Sequence, residues 1–299
     1  MFPLPSESAP DSYSFHPTWS HALAHPPRGL ALAREKGWVL AWDSQDWLYL
    51  LNPSGERQSQ MHSAAKLTTA SGADNGSAYA AGGAHGEVWW LSPDLRTRWD
   101  RSVGHSVTAL ALDSFGQYLA VGDSLGTLTI FDSQGRQLVR AQSQRPLYHL
   151  TFVPSAPFLV GASDYGLIAC FDFNGKLIWR DGIVAHIGAL SVSGAGEKIV
   201  LACFSEGLQE YDVKGTNLGR QSLPEATRLA ALTYDARHLL AAGMGNHLLW
   251  LDSQHRILST HRLEKPAVAM GLSPLGDRMI VAQAESSLVG LDLRPSLRP

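Results

Sequence analysis

The chain repeats itself every 40 residues, and that period restricts its fold more than any other feature of the 299 residues. Stepping by 40 from Asp132 in both directions gives Asn52, Ser92, Asp132, Asp172, Asp212, Asp252 and Asp292. The residue before each is Leu51, Leu91, Phe131, Phe171, Tyr211, Leu251 or Leu291, and the residue four before is Leu48, Val88, Leu128, Ile168, Leu208, Leu248 or Leu288. Two further segments recur upstream with the same period. One runs through Val39, Tyr79, Leu119, Leu159, Ile199, Leu239 and Met279, the other through Leu30, Ala70, Leu110, Leu150, Leu190, Ala230 and Met270. Apolar columns kept in register over seven copies mark one supersecondary unit used seven times.

Each unit reads as strand A (TALAL in the third), a turn, strand B (YLAVG), a turn, strand C (TLTIF), an Asp-x-x-Gly-like turn and a variable strand D. The turns SFGQ, DSLG, DSQG and DFNG supply glycine where φ must be positive, and Asp or Asn where a side chain can bond its own backbone. Four short antiparallel strands in about 40–45 residues make a propeller blade, and propellers use about 4 to 8 of them. A β-sandwich has no need of seven equal units, and a helical solenoid would show a 3.6-residue apolar period, which this chain lacks. The expected fold is all-β: a seven-bladed β-propeller of four-stranded antiparallel blades, forming one domain over residues 1–299.

The seventh unit, AVAMGLSPLGDRMIVAQAESSLVGLDLRP, has room for strands A, B and C but not D. Counting seven periods back from Asp292 reaches Ser12, so the segment 12–22 falls in register as the missing outer strand, with residues 1–11 expected to be flexible. Trp19 then shares a column with Trp99 and Trp179. An N-terminal strand in that place would cover an edge that otherwise invites aggregation and would tie the two ends of the ring together.

Composition narrows the partners. Hydrophobic residues make up 44% and charged residues 17%, which suits a packed globular chain, and the net charge of −3 offers no broad positive field for nucleic acid or anionic lipid. Every apolar run is broken well short of the ~20 residues a membrane span requires, so no membrane insertion is expected. The opening MFPLPSESAPDSYSF has neither a basic start nor a continuous apolar stretch, so it does not read as a secretory signal, and a cytoplasmic location is expected. Cys170 and Cys203 occupy non-equivalent positions in neighbouring units and read as buried thiols. The histidines are scattered without HExxH or His-x-His spacing, and no cofactor or metal is expected.

The third unit, GHSVTALALDSFGQYLAVGDSLGTLTIFD, resembles a WD-repeat blade: Gly104-His105 opens it and Phe131-Asp132 stands where Trp-Asp would be. The fourth, CFDFNGKLIWRD, is similar to the repeat of pyrroloquinoline-quinone propellers through Asp172, Gly175 and Trp179, and the second matches it through Trp99. These resemblances imply the propeller architecture, with the tryptophans packed between adjacent blades rather than around a cofactor. They carry no particular function.

Function is sought in the loops, since the strands are committed to packing. The D-to-A and B-to-C connections of such a ring emerge on one face. The binding candidates there are Arg101, His105, Arg145, Tyr148, His186 and Arg228 from the first set and Asp123 and Tyr165 from the second. Of Phe115, Phe158, Trp38 and Tyr234, near A-to-B turns, most are expected to fold back over their blades. His105, Ser106 and Asp123 do not read as a nucleophilic triad, because no Gly-x-Ser-x-Gly elbow accompanies them. The expected function is a non-enzymatic scaffold that binds a partner protein or peptide across the loop face. The alternative is a small-ligand-binding propeller or propeller enzyme of the lactonase or quinoprotein kind, with Asp43, Asp123, Asp164, Glu206 and Glu285 holding Ca²⁺ at the channel mouth. A third reading is a structural subunit of a larger complex.

Overall fold

The computed structural model describes residues 13–295, which form seven four-stranded antiparallel sheets. In blade 1, strands A to D are Pro27–Ala33, Trp38–Asp43, Trp47–Leu51 and Arg57–His62, and blades 2 to 6 follow in the same order along the chain. Blade 7 takes Ala267–Leu272, Arg278–Gln283 and Ser287–Pro295 from the C-terminal end and Tyr13–Ala22 as its strand D. That N-terminal strand pairs in antiparallel register from Tyr13 opposite Pro295 to Ala22 opposite Ser287, with one shift between Pro17 and Trp19. The expected closure is therefore the observed one. Ser12 and the expected flexibility of residues 1–11 lie outside the described residues.

Each apolar column does one job. Strand B of blade 5, Ile199–Cys203, is buried at every position, whereas strand D of the same blade, Asn217–Gln221, is exposed at every position. Each of the seven hydrophobic clusters joins two neighbouring blades, so the core is a ring of inter-blade contacts rather than one central mass. Cys170 and Cys203 are free thiols in the blade 4–5 cluster, where burial pushes them up to about 12 and about 11 and so keeps them protonated and unreactive.

The acidic column has a local cause. Asp132 Oδ1 accepts the backbone N–H groups of Gln134 and Arg136, each at 2.9 Å, and Asp172, Asp212 and Asp252 do the same two and four residues on. The carboxylate thus closes the C-to-D turn, which ends in a left-handed residue such as Gly135 at φ 73°.

Candidate functional site

The D-to-A and B-to-C connections share one face because they are hydrogen-bonded to each other. Ser44 N–H donates to Pro26 O, Ala84 to Lys66, Ser124 to Ser106, Met244 to Ala226 and Ala284 to Pro266, all at 2.9–3.0 Å. In these five blades strand A opens with a bulge. Blades 4 and 5 depart from the pattern. Their A strands start late, at His149 and Ala189, and Ile187 N–H donates instead to Asp164 O at 2.8 Å. Tyr165 and His186 form an isolated antiparallel bridge, and the blade 5 B-to-C connection winds into a short 3-10 turn, Phe204–Glu206.

The irregular pair carries aromatic groups into solvent. The Tyr165 and His186 rings lie 5.0 Å apart, and Phe204 meets His186 edge-on at 6.5 Å. On the blade 3 side, Arg145 Nη1 donates to Tyr165 O at 3.4 Å. On the blade 6 side, a Cβ at Gly188 would fall 2.4 Å from Arg228 O, so glycine lets the D-to-A connection of blade 5 lie directly on the Arg228 backbone. Tyr148, Tyr165 and Val184 are all exposed here, Val184 at 79%. Beneath Tyr148, His149 Nε2 faces Ile187 O at 3.2 Å, and burial holds its imidazole below the usual histidine range against the opposing pull of Ile187 and Asp164. Three loop-face pairs are closed, Arg220 with Glu206, His247 with Glu225 and Lys265 with Glu285, whereas Arg145 and Arg228, like Arg28 and Lys66, form no ion pair among the described residues.

The structure brings Arg145, Tyr148, Tyr165, His186 and Arg228 onto this sector, and His105 is exposed in the neighbouring connection, resting on the blade 2 turn at Gly86. Two candidates belong elsewhere. Arg101 lies within strand D of blade 2, Thr97–Ser102, on the same side as Trp99. Its guanidinium stacks 5.5 Å from the indole and donates Nε–H to Gly135 O in the C-to-D turn of blade 3, away from the loop face. Asp123 is 1% exposed, and its Oδ1 accepts the N–H groups of Leu125 and Thr127 at 2.9 and 2.8 Å, so it shapes a turn instead of meeting a ligand. Its Oδ2 is buried without a partner. In blade 1 the equivalent Asp43 Oδ2 accepts the Tyr49 hydroxyl at 2.8 Å, whereas blade 3 has the shorter Thr129 in that column.

The five carboxylates of the calcium alternative do not converge: among the described residues no three His, Cys, Asp or Glu side chains are placed to hold a metal ion.

The opposite face holds a cluster that the apolar columns did not reveal. Arg34 reaches under the ring from the blade 1 A-to-B turn, donating Nε–H to Leu272 O at 3.1 Å and Nη2–H to Leu232 O at 2.7 Å. Its guanidinium lies 4.2 Å over the Tyr234 ring, and the Tyr234 and Ser114 hydroxyls both donate to Asp74 Oδ2, at 2.6 and 2.7 Å. Tyr234 turns toward the channel rather than back over its blade. Burial, followed by the Asp74 carboxylate, pushes its phenol well above the usual tyrosine range. Arg34, Asp74, Ser114 and Tyr234 are one column of the same 40-residue period, so the signal was the repeat read at one more position.

No protein-family model and no curated protein matches the chain. Among the described residues no helix is long and apolar enough to cross a membrane.

Proposed function

We propose that the chain is a non-catalytic binding module that holds a protein or peptide partner against the D-to-A and B-to-C loops of blades 3 to 6. The observation that carries this reading is the continuous run Arg145, Tyr165, His186, Phe204 on the two blades that abandon the regular loop geometry. Departures from a repeat are where local consistency has been given up for something else, and exposed aromatics beside unpaired arginines are the residue types that anchor protein interfaces. The rigid ring supplies a preorganised platform, so little ordering entropy opposes docking there.

The calcium-dependent alternative is weaker, because Asp43 and Asp123 serve their own turns while Glu206 and Glu285 are ion-paired. Kinship with quinoprotein-like repeats fits the inter-blade tryptophans better than kinship with WD repeats, since no unit ends in Trp-Asp. A cytoplasmic setting accords with the buried free thiols.

Affinity capture from the native cell tests the reading. The intact protein is compared with an Arg145→Ala, Tyr165→Ala, Arg228→Ala triple variant of unchanged melting temperature. A partner retained by the first and lost by the second supports it; equal retention by both contradicts it.

A further inference from the structure

A cavity of about 280 Å³ lies on the ring axis toward the A-to-B face, lined by strand A of all seven blades. Small side chains keep it open: Ala31, Ser71, Ala111, Ser191, Ala231 and Gly271 lie along its wall, with Arg34, Asp74 and Ser114 at the rim. Few polar groups converging on a concave site are what small-ligand recognition requires, and the volume is near the lower limit of ~300 Å³ for such sites.

The rim is built with its recognition groups half-used. Arg34 is fixed on one edge by the Leu272 and Leu232 carbonyls and on one face by Tyr234, while its Nη1 has no partner among the described residues. A guanidinium immobilised in this way presents its other edge as a preformed fork for a carboxylate. Asp74 takes both hydroxyl donors on Oδ2, leaving Oδ1 to accept from something else. Arg34 and Asp74 form no direct ion pair with each other; the Tyr234 phenol bridges them. The site therefore offers a donor fork and an acceptor oxygen on one small polar cavity.

From this geometry we infer a second binding site, independent of the loop-face reading: the axial cavity takes a small carboxylate that also carries a hydroxyl or ammonium group, with the carboxylate on Arg34 and the donor on Asp74. The channel wall limits the ligand to a few heavy atoms beyond those two groups, and the Ser71 and Ser191 side chains, which accept Leu112 N–H and Leu232 N–H at 3.1 and 2.9 Å, keep that wall hydrogen-bonded and rigid.

Saturation-transfer NMR and thermal shift with glycolate, lactate, glycine and serine test the site, using acetate (no donor) and glycerol (no carboxylate) as controls. At least one hydroxy or amino acid is expected to bind the wild type, with acetate at least tenfold weaker and glycerol silent. Ala231→Phe puts a phenyl ring into the wall of the cavity that Arg34 and Asp74 also line, and should lose the signal while circular dichroism shows the folded β-structure retained. Asp74→Asn retains an acceptor for Tyr234 and Ser114 and should lose the preference over acetate. Absence of binding by all four acids overturns the proposal. So does binding that survives Ala231→Phe, or acetate binding as tightly as glycolate.

Discussion

Trp179 donates its indole N–H to Val213 O at 2.7 Å, and its ring lies so close over Gly215 that a Cβ there would fall 2.7 Å from the indole carbons. Trp19 and Trp99 dock in the same way, on Pro53 O and Gly55 and on Ser133 O and Gly135, each joining strand D of one blade to the C-to-D turn of the next. The other blades swap sizes between the two columns. Val139 fills the place beside Gly175, and where strand D has Ser59 or Gly219 the facing turn has Leu95 or His255, in the same left-handed conformation at φ 60° and 62°. The blade interfaces are thus filled by complementary pairs rather than by one conserved residue.

Those pairs should couple energetically. Trp179→Ala is expected to cost about 3 kcal/mol through lost packing. Gly215→Ala should cost about 2 kcal/mol, combining the left-handed strain with a displaced indole. In the Trp179→Ala background the clash is gone, so the second change should cost only the backbone strain of about 1 kcal/mol. Urea unfolding of the four proteins measures the cycle. Strict additivity would show that the ring and the glycine do not sense each other.

The N-terminal strand should be needed for the whole ring. Removing residues 1–22 strips strand D from blade 7, uncovers its strand C and withdraws Trp19 from Gly55. The truncated protein is expected to melt on the order of 10 °C lower and to scatter light as its bare edge pairs between molecules. A monomeric truncation with an unchanged melting curve would refute the closure.

Glu210 gives the blade 5–6 interface an acid sensitivity. Burial alone would raise its carboxyl, but the His255 ring at 2.7 Å and the Lys198 ammonium at 3.1 Å outweigh it and leave the group below its ordinary 4.5. A carboxyl depressed in the folded state contributes stability that is complete above its unfolded value and is lost as pH falls through the folded one. Glu210→Gln should therefore destabilise the protein at neutral pH by about 2 kcal/mol, because the half-buried Lys198 loses its carboxylate partner and keeps only the Ser253 carbonyl. The gap between variant and wild type should shrink below about pH 4.5. Stability measured from pH 7 to pH 3 gives the answer; a constant gap would remove Glu210 as the cause.

Much of the architecture was legible because its cause is periodic. The apolar columns through Leu119, Leu128 and Leu110 recur since every blade must bury the same strands, and Trp19 could be placed since it falls in the column of Trp99 and Trp179. The candidate site was legible only as a set of loops. Arg101 was misplaced because strand parity, not proximity to a loop, aims a side chain, and its parity is that of Trp99. Asp123 was misplaced because a turn-closing carboxylate and a ligand-binding one look alike until their N–H partners are known. The Arg34, Tyr234 and Asp74 cluster escaped because its column varies in residue type: its members cooperate across the ring axis, not along the chain.

The central claim is that binding resides on the blade 3 to 6 loop sector, and titration calorimetry with the captured partner measures it most directly. Arg145→Ala and Tyr148→Ala should each weaken binding by about 1 to 3 kcal/mol as interface anchors. Lys176→Ala and Lys214→Ala, in the C-to-D turns of the opposite face, should leave affinity within error. Loss of affinity confined to the Lys176 and Lys214 variants, with Arg145 and Tyr148 silent, would contradict it.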